Sequence, residues 1–147
     1  METEQIPVMS DYTKPLPYAD AETKPYWDWA KRHELRMQRC ADCSTFRFPP
    51  GPMCPSCHSV RDEWVAMRGT GTIYSWIVVH PPVLPAFAGE APYSVVLVQL
   101  DEQPTLRLVG QVVDISIDQL AAGIAVEVLF DDVTPEVTLP KWRRRAT

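Results

Sequence analysis

Four cysteines, at positions 40, 43, 54 and 57, form the pattern C-x2-C-x10-C-x2-C. Two residues between cysteines let a tight turn aim both thiolates and nearby backbone N–H groups at one cation. Two such knuckles supply four sulfurs at about 2.3 Å in a tetrahedron. The alternatives are two disulfides or four unrelated buried thiols. The N-terminus METEQIPVMSDY is acidic and lacks the basic start and apolar stretch of a signal peptide. A reducing, cytoplasmic setting is therefore expected, and with it a metal site held by Cys40, Cys43, Cys54 and Cys57. Zinc is preferred to iron because nothing else in the chain points to electron transfer, although four thiolates accept either. His58 adjoins Cys57, but a fourth thiolate makes it unnecessary as a ligand. A closed four-cysteine site leaves no position for water or substrate, so the expected role is structural: the metal holds a segment too small to fold alone.

Other chemistry is sparse. G-x-S-x-G, P-loop and H-E-x-x-H patterns are absent, and Gly69-Thr-Gly71 opens a strand without the third glycine of a dinucleotide fingerprint. Histidines occur only at 33, 58 and 80. His80 ends a strand beside an apolar loop and is the one best placed to serve a site, but general-base work needs an orienting partner. No catalytic residue is assigned.

The elements that must position these residues follow from periodicity. Pro7, Pro15 and Pro17 make residues 1–18 an extended arm. In TKPYWDWAKRHEL, Thr23 can cap a helix that admits Pro25 in its first turn, and Tyr26, Trp29, Ala30 and His33 recur on one face. Leu35 and Met37 alternate with polar residues into the first knuckle, Phe46 and Phe48 lie between the knuckles, and Trp64–Met67 follow the second. That is the strand order of a zinc ribbon. From Gly69 onward GTIYSWIVVH, YSVVLVQL, TLRLVGQVVD and AVEVLF read as strands, and VTLPKW as a short fifth that Pro140 confines to an edge or a strand end. DISIDQLAAGI reads as one helix, with Ser116 and Gln119 as a capping box, Ile115 and Leu120 as a staple and Gly123 as terminator. Five antiparallel strands with a short helix after the third is the order of an OB-fold. The first two strands are joined by HPPVLPAFAGEAP, from His80 to Pro92, which is long and apolar for a hairpin connection. Its Val83, Leu84 and Phe87 either cover the barrel end or form an exposed surface for a partner or acyl ligand.

The 147 residues, 46% hydrophobic and 22% charged, suit a folded protein of one ordinary or two small domains. No apolar run approaches the roughly 20 residues of a membrane span. The 15 prolines cluster in the arm, between the knuckles and in the loop. The net charge of −5 is segregated: residues 31–68 carry seven basic and four acidic side chains, residues 69–140 one arginine and nine acids, and the tail KWRRRAT four basic groups. The break near Gly69 divides the chain into an arm and helix (1–34), a ribbon (35–68) and a barrel with tail (69–147). Tyr74 and Trp76 could stack bases and the WRRR tail could hold phosphates, but an acidic barrel repels a polyanion. Segregated charge suits docking between proteins.

An N-terminal helical segment, QRCADC…FPPGPMCPSC, EWVAMRGTGTIYSWIVVHPP, APYSVVLVQLDE and a final LPKW resemble the DUF35 family from about Tyr18 to Trp142. The departure is that Ser44 and His58 stand where a glycine often follows each knuckle. The resemblance implies a mainly β protein with a rubredoxin-like zinc ribbon and an acyl-CoA-associated OB-fold. It further implies an accessory subunit of thiolase-like or lipid-transfer-protein-like enzymes that make or break carbon–carbon bonds in acyl-CoA thioesters, including those of steroid side chains. The partner would carry the catalytic residues. His80, Val83, Leu84, Phe87 and Tyr93, with Arg143, Arg144 and Arg145, are the candidate acyl-CoA or partner surface.

Overall fold

A computed structural model describes residues 12–146, so the first part of the expected arm lies outside the described residues. Lysine and aromatic residues after Pro25 form helix α1, Lys24–Lys31. Its entrance differs from expectation: Thr23 makes no capping bond, and Asp20 accepts from both the Thr23 amide, at 2.8 Å, and its hydroxyl, at 2.9 Å. The turn before the helix is thus closed by a carboxylate three residues upstream. Ala30 is buried, Tyr26 and Trp29 are half-buried, and His33 lies past the helix end with φ 60°.

Strands β1 (Arg36–Cys40), β2 (Phe46–Arg47) and β3 (Asp62–Ala66) form an antiparallel sheet in the order β2-β1-β3. Strands β4 (Thr70–Val79), β5 (Tyr93–Leu100), β6 (Arg107–Gly110), β7 (Ala125–Asp132) and β8 (Thr138–Arg144) form a second antiparallel sheet, β6-β5-β4-β7-β8. The second sheet curls into the half-barrel of an OB-fold, with Pro140 on an edge strand as expected.

Strict alternation drives the curl. Ser94, Val96, Val98 and Leu100 of β5 are buried while the residues between them are not. They meet Ile73, Leu108, Val126 and Trp142, and Leu35 and Met37 of the ribbon complete the same core. Trp142 closes the barrel: its amide donates to the Gln111 carbonyl at 2.8 Å, and its carbonyl accepts from the Val113 amide at 2.9 Å. Gly71 is required by close approach, because a Cβ there would sit 2.3 Å from the Gln99 carbonyl oxygen of β5. Gly69, at φ +76°, takes the left-handed turn that leads out of the ribbon.

The segment DISIDQLAAGI is a single 3-10 turn, Ile117–Gln119, and not an α-helix. Ile115 and Leu120, both buried, must enter one core within a few residues, and Gly123 at φ +90° ends the segment. Too few residues remain to repay helix nucleation. Ser116 offers its carbonyl, not its hydroxyl, to the Gln119 amide at 3.0 Å.

Candidate functional site

The two knuckles arise from local hydrogen bonding. Cys40 Sγ accepts the Asp42 and Cys43 amides at 3.4 and 3.5 Å, and the Ser44 amide returns to the Cys40 carbonyl at 3.0 Å. The second knuckle repeats this closure, His58 N–H to Cys54 carbonyl at 3.0 Å. Closing each turn drives the next residue into left-handed space: Ser44 has φ 63° and His58 φ 62°, which is the geometry a glycine would satisfy without strain. Ser59 and Arg61 both bond the Asp42 carboxylate, tying the knuckles together.

The four Sγ atoms lie within 4.8 Å of one another, with Cys40–Cys57 at 3.6 Å and Cys43–Cys54 at 3.5 Å. These spacings are far from a disulfide bond of about 2.04 Å. They match the edges, about 3.8 Å, of a tetrahedron with metal–sulfur distances of about 2.3 Å. Acid–base chemistry agrees. The Thr45 hydroxyl, then its amide, draw the Cys43 thiol down to about 6. At Cys57 the Ser59 amide favours the thiolate, but the Cys40 thiol, desolvation and the other two cysteines prevail and push it up to about 12. Four negative sulfurs cannot share this volume without a cation. All four thiolates are used, so the site holds a structural metal with no open position. His58 is exposed beside it and is not in the cluster of four.

The candidate surface residues divide into two groups. Phe87 and Tyr93 stack with ring centroids 5.7 Å apart, and Lys14 lies over Phe87 at 5.5 Å while pairing with Glu90 at 2.6 Å. They line a groove of about 290 Å3 together with Tyr26 and Trp27 of α1 and residues 109–111 and 139–141 at the barrel seam. Leu84 and His80 are exposed on the same loop and Val83 is half-buried, so the loop packs partly on the barrel and partly faces outward. Arg143–Arg145 follow Lys141 of β8, which lines the groove with Tyr93; Arg143 stands two residues on, about 7 Å at the rise of a β-strand. Arg143 pairs with Glu127 at 3.0 Å and Arg145 with Asp101 at 2.9 Å, so the tail is built into the sheet rather than free.

Sequence reading missed the wall that α1 and the barrel seam give the groove. It also missed an apolar outer face: Tyr74, Ile77 and Val109 are exposed. Their signal was available, since these strand positions are apolar where a solvated barrel exterior would be polar. Among the described residues no helix is long and apolar enough to cross a membrane.

A four-thiolate ribbon that shares its core with a five-strand half-barrel defines a zinc-ribbon OB-fold protein. Family models agree: "ChsH2, rubredoxin-like zinc ribbon domain" matches residues 27–61 and "ChsH2, C-terminal OB-fold domain" matches residues 64–131. A DUF35 domain-containing scaffold protein of Methanocaldococcus jannaschii is 35% identical over 102 residues, 68% of this chain and 70% of that one. The chain belongs to the DUF35 family. A probable enoyl-CoA hydratase alpha subunit of Thermomonospora curvata is 41% identical over 96% of this chain and 43% of its own length. A 3-oxo-4,17-pregnadiene-20-carboxyl-CoA hydratase alpha subunit of Mycobacterium tuberculosis is 34% identical over 86% of this chain and 39% of its own. The chain thus spans about two fifths of these two relatives. Among solved structures, a chain of the Ltp2-ChsH2(DUF35) aldolase superposes with a TM-score of 0.80 at 42% identity, covering 88% of this chain and 98% of that one. The relatives support an accessory-subunit role.

Proposed function

We propose that this chain is a non-catalytic subunit that docks on a thiolase-like or lipid-transfer-protein-like enzyme acting on acyl-CoA thioesters. The enzyme partner would make or break carbon–carbon bonds, in the manner of an aldolase of lipid or steroid side-chain degradation. The observation that carries this reading is the near-complete match to one component of a two-part aldolase. Zinc is the proposed metal, supported by the match to a rubredoxin-like zinc ribbon domain and by the lack of any other feature of electron transfer, since four thiolates alone accept zinc or iron. The proposed division places the arm and helix in 1–34, the ribbon in 35–68 and the barrel in 69–147. Within the barrel, the loop with His80, Val83, Leu84, Phe87 and Tyr93 supplies apolar contact to the partner or its acyl ligand. Arg143–Arg145, which follow the groove residue Lys141 of β8, would act as a further contact with the partner or with CoA phosphates.

Co-expression with a lipid-transfer-protein-like aldolase subunit from the same genome tests the reading. One stable complex, with one zinc per copy of this chain by elemental analysis, is expected. Separate migration of two well-folded proteins would overturn it.

A further inference from the structure

Strand β4 outruns its neighbour. It pairs with β7 only over Thr70–Thr72, and the Ile73 amide and carbonyl then bond Ile124 and Gly123. A bulge between Ile73 and Ser75 turns the strand away, and β4 continues to Val79 against β5 alone. Ile73 aims its N–H and C=O away from β5. Beyond the bulge Ser75, Ile77 and Val79 face β5, so the N–H and C=O of Trp76 and Val78 point to the open side. No strand covers that edge among the described residues.

Charge and bulges are among the devices that blunt open edges; this edge has the bulge but no charge of its own, since residues 69–89 contain no Asp, Glu, Lys or Arg. Ile77 is 62% exposed and Val109 69%. With Val95 and Leu97 they line an apolar hollow of about 280 Å3 on the outer face that β4 shares with β5 and β6. Arg107 lies 3.9 Å over the Tyr74 ring, as a polar rim lies around an apolar contact.

We propose that Tyr74–Val79 is a docking edge that takes an uncharged, apolar extended segment of the enzyme subunit as an added strand, its apolar side chains extending the exposed face of Ile77 and Val109. This rests on the accessory-subunit reading and assigns the surface that serves it. A second copy of this chain fits less well. Two-fold antiparallel pairing centred on Ile77 would set Trp76 opposite Val78 and Pro81 opposite Ile73, where Gly123 and Ile124 already close the root of the same edge.

The test uses the full chain and the separately purified lipid-transfer-protein-like aldolase subunit. Val78→Pro removes one outward N–H, which an edge strand tolerates, and Ile77→Lys charges the hollow. Val60→Lys, on the ribbon at an exposed position, is the control. Retained metal content and thermal transition certify folding of each variant. Binding at least tenfold weaker for both edge variants, unchanged for Val60→Lys, with slowed amide exchange over residues 74–79 in the wild-type complex, supports the docking edge. Equal binding by all four chains overturns it and leaves the subunit role standing. Failure of the wild type to bind overturns the subunit role and the edge with it. Concentration-dependent dimerisation that Ile77→Lys abolishes would assign the edge to a second copy instead.

Discussion

Ser44 and His58 each hold a left-handed conformation because their knuckle turns close onto the carbonyls of Cys40 and Cys54. A Cβ in that region costs about 1–2 kcal/mol, partly offset by the chain entropy that a glycine adds to the unfolded state. Ser44→Gly and His58→Gly are therefore expected to stabilise the metal-loaded protein by about 0.5–1 kcal/mol each, read as a raised denaturation midpoint. Cys40→Ser removes a buried ligand from a site whose sulfurs need their cation. Loss of bound metal and of soluble protein is the expected outcome; a soluble variant that keeps its metal would refute the structural role. These residues were legible in the sequence because ligand spacing is local and turn geometry is set within four residues. Thr45 was not singled out, since its hydroxyl 3.2 Å from Cys43 Sγ becomes visible only once the turn is folded.

Between elements, α1 is held by its flanks more than by its single buried residue. The Arg36 guanidinium lies 3.7 Å over Trp29, and His33 stacks on Phe130 of β7 with centroids 5.3 Å apart while bonding Asp132 at 2.9 Å. The Thr138 hydroxyl, then His33, hold the Asp132 carboxyl below its ordinary value of 3.8. A carboxylate with a depressed folded pKa stabilises above its unfolded value, and the gain is lost as pH falls through the folded one. Acidification from about pH 5 to below 3.8 should lower the melting temperature more in the wild type than in Asp132→Asn. Equal loss would show that the contact does not anchor the helix. Gly71→Ala should cost about 1–3 kcal/mol, because the new methyl meets strand backbone rather than a side chain that can move. The strands were readable from alternation, which is a two-residue signal. The 3-10 turn at Ile117–Gln119 was not: its capping pattern is the same as a helix's, and only the demand that Ile115 and Leu120 both enter the core decides between them.

Across the whole molecule, the segregated charge is largely satisfied internally. Arg143, Arg145 and Lys141 of the basic tail all pair with carboxylates of the acidic barrel, at 3.0, 2.9 and 2.6 Å. Opposite charges remote in sequence were brought together by strand register, which composition alone does not reveal. The uncharged stretch 69–89, which holds β4 and most of the 80–92 loop, is what remains for a partner. The family was legible because the cysteine order and the RGTGTIYS segment combine a metal turn with a glycine that lets β5 approach β4. The open edge was hidden because it depends on where β7 stops pairing.

The proposed subunit role requires that the enzyme's chemistry reside in its partner and that the partner need this chain. Its most direct test is the rate of carbon–carbon bond cleavage of an acyl-CoA substrate by a fixed amount of the lipid-transfer-protein-like aldolase subunit, titrated with this chain. The account predicts a low rate without the chain and a rise to a plateau at a fixed molar ratio, with no turnover by this chain alone. Full activity of the aldolase subunit in its absence, or turnover by the isolated chain, would contradict it.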